Sequence, residues 1–275
     1  MSAVIEEQPL GARPKIPDCL NESEIECPES TLVWGVPFTP VTFEQSIRLI
    51  DRSVQDRRPG YFITANMQYV MLSDQRSELA QVNRNADYIF ADGMPIVWRS
   101  RANDTPIPER VAGSDQIYGI AELAAKKGYS IFLLGGAPGI AQSTADILQQ
   151  TYAGLKIAGV ECPPFRELGP DEDAAMVERI KSKKPDILLI ALGQPRGELW
   201  IHKWHRQLGV PLSVQLGGSF NFVTGNIARA PDWVAKMGME WFYRFYREPG
   251  RLGPRYARNW LFLVKALLKD ATKTW

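Results

Sequence analysis

Ser130-Ile-Phe-Leu-Leu-Gly-Gly-Ala-Pro-Gly139 is the stretch that decides the fold. A short apolar run enters a glycine-rich turn, and helical spacing resumes immediately after it. A continuous apolar run bounded by glycine reads as a strand buried on both faces. Outward from this point the same strand-turn-helix grammar repeats. Candidate strands are Thr31–Val36, Tyr61–Thr64, Tyr88–Ala91, Ser130–Leu134, Lys156–Val160, Asp186–Leu192 and Leu212–Leu216. Between them, Thr42 with Gln45 predicts a capping box opening a helix to about Gln55. Ser114 predicts the cap of a helix that places Ile117, Ile120, Ala121 and Ala124 on one face and ends at Gly128. Pro170, Asp171 and Glu172 suit the first turn of a helix reaching Lys183. Strands alternating with helices predict an α/β fold: a Rossmann-like, mostly parallel sheet covered by helices on both faces.

Composition narrows the function. The 275 residues fit one large domain or two small ones, and 45% hydrophobic content excludes an intrinsically disordered chain. Thirty-two basic residues against 31 acidic ones argue against a nucleic-acid-coating protein. The charge is unevenly spread, however. Residues 226–275 carry ten Lys/Arg against four acids, a local excess of six positive charges that leaves residues 1–225 at five negative. The expected organisation is a flexible segment over 1–30, an α/β catalytic domain over 31–225, and a basic, aromatic-rich helical C-terminal appendage over 226–275. The first 30 residues are acidic and proline-bearing, without the apolar core of a secretory signal. No run approaches the ~18 apolar residues of a membrane-spanning helix. Cys19, Cys27 and Cys162 lack any C-x-x-C spacing, which fits a reducing compartment.

Open α/β sheets bind ligands at the carboxyl ends of their strands. The residues just past the candidate strands are therefore the candidate site: Thr64 and Asn66, Asp92 and Gly93, Gly135 and Gly136, Gly193-Gln194-Pro195-Arg196, and Gly217-Gly218. Gly135-Gly136-Ala-Pro-Gly139 either cradles a phosphate at a helix N-terminus or merely turns a strand into a helix. It is not the G-x-G-x-x-G dinucleotide fingerprint. Asp92 is either a general base or the cap of the next helix. Arg110 faces a phosphate, or pairs with Asp115 or Glu109. The D-x-D of Asp171-Glu172-Asp173 opens a helix, where acids are expected on dipole grounds, and reads as structural. His202 and His205, the only histidines, lack an H-E-x-x-H pattern and argue against a metal site. Cys162 has no adjacent base to make it a nucleophile. The tail run Glu240-Trp-Phe-Tyr-Arg-Phe-Tyr-Arg-Glu-Pro249 interleaves arginines, suited to phosphate, with aromatics, suited to a headgroup boundary.

Several of these pieces recur together in one family. Thr64-Ala-Asn66, Ala91-Asp-Gly-Met94, Arg110-Val-Ala-Gly-Ser-Asp115, Gly193-Gln-Pro-Arg196, Gly217-Gly-Ser-Phe220, Arg229-Ala-Pro231 and the Glu240-Trp…Glu248-Pro-Gly-Arg251 tail carry the resemblance. In order and spacing the chain resembles the WecG/TagA/CpsF family of bacterial glycosyltransferases (glycosyltransferase family 26). The resemblance implies an inverting, metal-independent enzyme without a cofactor. It would move a hexose or N-acetylhexosamine-type sugar from a UDP-sugar to a polyprenyl-diphosphate-linked saccharide for exopolysaccharide, surface antigen or teichoic acid synthesis. The implied setting is cytoplasmic, peripheral at the inner face of the cell membrane. No nucleic-acid partner is expected, and a homo-oligomer is left open. Asp92 is the implied base, with Thr64, Asn66 and Arg110 beside it. The expected donor and diphosphate set is Gly135, Gly136, Gln194, Gly217, Gly218 and Arg229; the expected tail set for phosphate and acceptor is Arg244, Arg247, Arg251 and Arg255. Two departures stand out: Gly197 replaces a glutamine of the family pattern, and Asn221 an aspartate. A nucleotide-dependent oxidoreductase, an epimerase acting on UDP-sugars and a non-enzymatic membrane or nucleic-acid module are the competing readings.

Overall fold

The computed structural model describes residues 28–227, 229–231, 234 and 240–272, without the side chains of Glu240, Trp241, Arg244, Pro249 and Arg251. Residues 1–27 of the expected flexible segment, with Cys19 and Cys27, lie outside it.

Six strands form the main sheet: β3 (Gly60–Ala65), β4 (Tyr88–Ala91), β5 (Ser130–Gly135), β6 (Lys156–Glu161), β7 (Ile187–Ala191) and β8 (Leu212–Gln215). Their order is β4-β3-β8-β7-β5-β6, and every pairing is parallel. Period-two alternation divides the core. Tyr61, Ile63, Phe132, Leu134, Leu188 and Ile190 face one side, while Phe62, Ile131, Leu133, Ile187, Leu189 and Val214 face the other. Against the first face pack α2 (Met67–Gln75), α3 (Glu78–Asn85), α4 (Met94–Ser100), α7 (Pro170–Ser182) and α8 (Arg196–Leu208). The second is covered by α1 (Phe43–Gln55), α5 (Gly113–Lys127), α6 (Ile140–Thr151) and α9 (Ser219–Val223). The expected α/β architecture is therefore present, and all six strand C-termini open along one edge.

Local signals read from sequence are largely realised. Thr42 and Gln45 form the capping box of α1, and Gly128, left-handed at φ 76°, ends α5. Glu172 reaches back to the Gly169 N–H at 2.9 Å and opens α7. Two expectations are corrected. The strand expected over Thr31–Val36 is instead an antiparallel hairpin, β1 (Thr31–Val33) with β2 (Val36–Phe38), outside the main sheet. Its turn places Trp34 at φ 49° and Gly35 at φ 79°, the positive pair of a tight hairpin. Ser114 is not the cap of α5: Ala112 takes that position and the helix starts at Gly113. The reason is contact, since a Cβ on Gly113 would sit 2.9 Å from Thr64 Oγ1 and 3.1 Å from the Leu216 carbonyl oxygen. Only a glycine lets α5 begin so close to two strand ends.

Two further helices follow, α10 (Glu240–Arg247) and α11 (Pro249–Thr272). Helix α11 lies on α2 and buries Phe262 and Ala266 in the first-face core. Its far end is pinned: Asp270 accepts from Arg99 Nε at 2.6 Å, Arg99 Nη2 at 2.8 Å and Trp34 Nε1 at 3.0 Å.

Candidate active site

Asp92 follows directly on β4, and its N–H donates to the Ala65 carbonyl at 2.9 Å, extending the β3–β4 ladder by one residue. Gly93, not Asp92, occupies the N-cap position of α4, so the helix-cap reading of Asp92 does not hold. The carboxylate is part-exposed and lies 3.9 Å from Arg110 Nη1. Arg110 in turn lies 3.6 Å from Asp115, in the first turn of α5. Asp115 also takes Arg229 at 2.9 Å. Arg229 is held from two more sides, donating to the Ser114 carbonyl and lying 5.2 Å from the centre of the Tyr118 ring. Acid, base, acid and base thus alternate across the strand edge, and the segment after Gly225 reaches back into it. Glu109, the other sequence candidate for Arg110, instead accepts from the Phe43 N–H.

The remaining predicted residues are placed unequally. Thr64 is buried and its hydroxyl donates to the Gln215 carbonyl at 3.0 Å, tying β3 to β8. Asn66 caps α2, accepting from the Tyr69 N–H at 3.2 Å. Gly135 and Gly136 are both left-handed and press on β7: a Cβ on Gly135 would meet the Ala191 carbonyl oxygen at 2.6 Å, and the Gly136 N–H donates to that same oxygen at 3.0 Å. Gly217 and Gly218 lead into α9, and Gln194 sits in the turn between β7 and α8. In the tail, Arg247 is exposed and Arg255 half-buried, whereas the side chains of Arg244 and Arg251 lie outside the described residues. Asp173 of the D-x-D accepts from Trp200 Nε1 at 3.1 Å and Glu172 pairs with Arg166, so that motif is structural as read. His202 and His205 pack around Tyr61. Among the described residues, no group of three or more His, Cys, Asp or Glu side chains is arranged to hold a metal. A cavity of about 280 Å3 lies elsewhere, between the β1–β2 hairpin and the far end of α2, and no strand-end residue lines it.

One residue of this region was not singled out by sequence reasoning. Glu198, in the first turn of α8, is fully buried beneath the ends of β7 and β8. Burial pushes its carboxyl up to about 8, although the side-chain amides of Gln194 and Gln215 face it. Its signal was an acid on an apolar stripe, for Gly197, Ile201, Trp204 and Leu208 continue the same buried face.

A model of the glycosyl transferase WecG/TagA/CpsF family matches residues 31–274. The chain belongs to that family. It is also similar to the N-acetylglucosaminyldiphosphoundecaprenol N-acetyl-beta-D-mannosaminyltransferase of Bacillus subtilis (strain 168), 28% identical over 225 residues, 81% of this chain and 86% of that one. A protein of the same description from Bacillus spizizenii is 29% identical over 203 residues, 74% of this chain and 77% of that one. As a WecG/TagA/CpsF glycosyltransferase the chain is a transferase, and its two departures now have positions. Asn221 lies in α9, its carbonyl accepting from the Ile227 N–H at 3.0 Å. At Gly197 the space a side chain would need is filled by Gln215, whose Nε2 would be 2.2 Å from a Cβ there.

Proposed function

We propose that this glycosyltransferase transfers an N-acetylhexosamine-type sugar, with inversion, from a UDP donor to a sugar on a polyprenyl diphosphate. The observation that carries the reading is the convergence of Asp92 with Arg110 and Arg229, through Asp115, at the carboxyl edge of a parallel sheet. The descriptions of the two Bacillus relatives support the acceptor class and the sugar class. In this reading Asp92 accepts the proton of the acceptor hydroxyl. The freed oxygen attacks the anomeric carbon from the face opposite UDP, and the departing C–O electron pair leaves on the β-phosphate. Arg110 and Arg229 meet the charge that develops there, where preorganised donors act most strongly. A bound divalent ion has no assigned part. The 3.9 Å and 3.6 Å contacts of Arg110 are loose, and such bonds commonly tighten only with substrate present.

Residues 31–225 would form the catalytic unit, and the tail would act as an appendage that holds the enzyme on an anionic inner membrane surface. Among the described residues, no helix is long and apolar enough to cross a membrane. Support for surface docking comes from α11. Trp260, Leu261, Val264, Leu267 and Leu268 are exposed on its outward side, with the cations Arg258 and Lys265 alongside, while Lys269 pairs with Asp74 of α2.

The test is UDP release from UDP-N-acetylmannosamine with a short-chain lipid-diphosphate N-acetylglucosamine acceptor, in the presence of a chelator. Turnover is expected to persist, and Asp92→Asn is expected to lower kcat by about 10²–10⁴-fold with UDP binding retained. Wild-type turnover in Asp92→Asn dismisses the assignment of the base. Loss of turnover on chelation, restored by magnesium, dismisses the metal-free reading.

A further inference from the structure

Glu198 takes no part in the chemistry above, yet it is the described acid buried most completely beside the site. Both of its carboxyl oxygens are buried without a partner in good hydrogen-bond geometry, although the Gln194 and Gln215 side chains lie close enough to act on them. Gln215 Oε1 is likewise buried without a donor, while Gln215 Nε2 points to the Gly193 carbonyl at 3.5 Å. Buried acceptors without a well-placed donor are costly, because each loses its water without gaining a partner. One proton on Glu198 removes the buried charge and supplies a donor for Gln215 Oε1, leaving only the second Glu198 oxygen to be met, on the side of the Gln194 amide. We propose that Glu198 is a positioning residue that remains a neutral carboxylic acid and donates its O–H to Gln215 Oε1, linking α8, the Gly193–Pro195 turn and the end of β8 into one rigid floor.

The link has a reason at this place. The Gly193-Gln194-Pro195 turn and Gln215 belong to adjacent strands, since β7 and β8 pair from Ile187–Leu212 to Ile190–Gln215. Gln215 is also the residue whose carbonyl holds Thr64. A neutral acid fixes this floor without adding negative charge where a diphosphate must approach. Gly197 belongs to the same device, because any larger residue would displace the Gln215 amide. Surrounding titratable groups are committed to other partners. Tyr69 of α2, which is coupled to Glu198, bonds Asn83; Asp173 of α7 bonds Trp200; Asp87 accepts from the Tyr61 N–H; and His202 contacts the Tyr61 hydroxyl. Arg196, on its own helix, is half-buried at the start of α8.

The proposal rests on reading the strand ends as the donor site, and its first test is independent of activity. In the full chain labelled with ¹³C-glutamate, the carboxyl resonance missing from Glu198→Gln belongs to Glu198. It is expected to keep the shift of a neutral acid at about pH 6 and to titrate near 8. A midpoint in the ordinary glutamate range overturns the proposal, whatever the enzyme transfers. The second test is kinetic. Glu198→Gln, which still donates to Gln215, is expected to keep kcat within about threefold of wild type below the midpoint and to lose the alkaline decline in kcat. Glu198→Leu is expected to lower kcat at least about tenfold. If Glu198→Leu does not fold, Gly197→Ala displaces Gln215 while leaving the acid in place, and it should both lower kcat and move the Glu198 midpoint. An unchanged midpoint and unchanged kcat in Gly197→Ala, or equal damage in Glu198→Gln and Glu198→Leu, overturns the proposal. Absence of any UDP release by wild type would instead count against the transferase reading alone, with the resonance still deciding the state of Glu198.

Discussion

Asp115 takes Arg229 at 2.9 Å and Arg110 at 3.6 Å, so one carboxylate sets the separation of two guanidiniums. Replacing it with asparagine keeps the volume and removes the charge that gathers them. Because the groups are part-exposed, the folding cost should be small. The cost should fall on catalysis instead: Asp115→Asn is expected to lower kcat/KM about tenfold, equal to about 1.4 kcal/mol, largely through a higher KM for the donor. Steady-state kinetics with varied donor check this, and an unchanged kcat/KM would remove Asp115 from the site. Glu198 gives a stability prediction of the opposite kind. Its folded-state value lies at about 8 against an ordinary 4.5, so the folded chain holds this proton more tightly than the unfolded chain does. Its contribution is then fully present below the ordinary glutamate range and is lost as pH rises through about 8. Thermal melts should show Glu198→Gln gaining on wild type as pH increases from about 5 to about 9, because the variant has no proton to lose. A Tm difference that stays flat across that range would contradict the buried neutral acid.

The N-terminus of α5 couples several strand ends, since Gly113 touches Thr64 of β3, the Leu216 carbonyl after β8 and Ser219 of α9. Gly113→Ala forces a Cβ to 2.9 Å from Thr64 Oγ1 and 3.1 Å from Ser219 Oγ. Overpacking of that size costs about 1–3 kcal/mol, so a Tm lowered by several degrees is expected, together with reduced turnover because Asp115 rides on the same turn. A neutral effect on both would show that the loops give way freely. These contacts also explain which parts of the molecule were legible in the sequence. β3 and β7 were readable because burial on both faces demands an unbroken apolar run, and the capping box of α1 because Thr42 and Gln45 are three residues apart. The hairpin at Trp34-Gly35 was not readable, because a tryptophan at positive φ carries none of the usual Asn-Gly or Asp-Gly signature. The start of α5 was misplaced because Ser114 has a capping chemistry that Gly113 lacks, and the need for glycine arises only from neighbours far along the chain. At the candidate site, strand-end logic pointed to Asp92 and the glycines, whereas Arg110 was read separately, with Asp115, as a polar cluster around Gly113. Nothing local announces that Asp115 bridges to Arg229, or that Thr64 spends its hydroxyl on the Gln215 carbonyl.

Positive charge is concentrated in residues 226–275, and α11 carries part of it. Residues 226–275 carry an excess of six positive charges while residues 31–225 balance to zero, and Asp270 fixes the end of α11 to Arg99 and Trp34. The helix therefore presents its outward face as part of the body rather than on a loose arm. Its inner face lies on α2, the helix capped by Asn66 at the strand edge, so a surface that binds α11 is brought near the site. Two forces should act together in that binding. Each basic residue near an anionic surface contributes about 1 kcal/mol, screened over about 10 Å at 0.1 M salt, whereas the exposed Trp260, Leu261, Val264, Leu267 and Leu268 contribute in a salt-independent way. Flotation with phosphatidylglycerol vesicles should accordingly be strong at low salt and weaken, without vanishing, at about 0.5 M salt. The double change Leu261→Ser and Leu268→Ser should remove the residual, leaving turnover on a water-soluble acceptor analogue unaltered. Asp270→Ala should act differently, since it unpins the helix while keeping its face: vesicle binding should persist while turnover on a vesicle-embedded acceptor falls. Equal flotation with neutral phosphatidylcholine vesicles at every salt concentration would sink the electrostatic half of this account. Full vesicle binding by the double leucine variant at high salt would sink the apolar half.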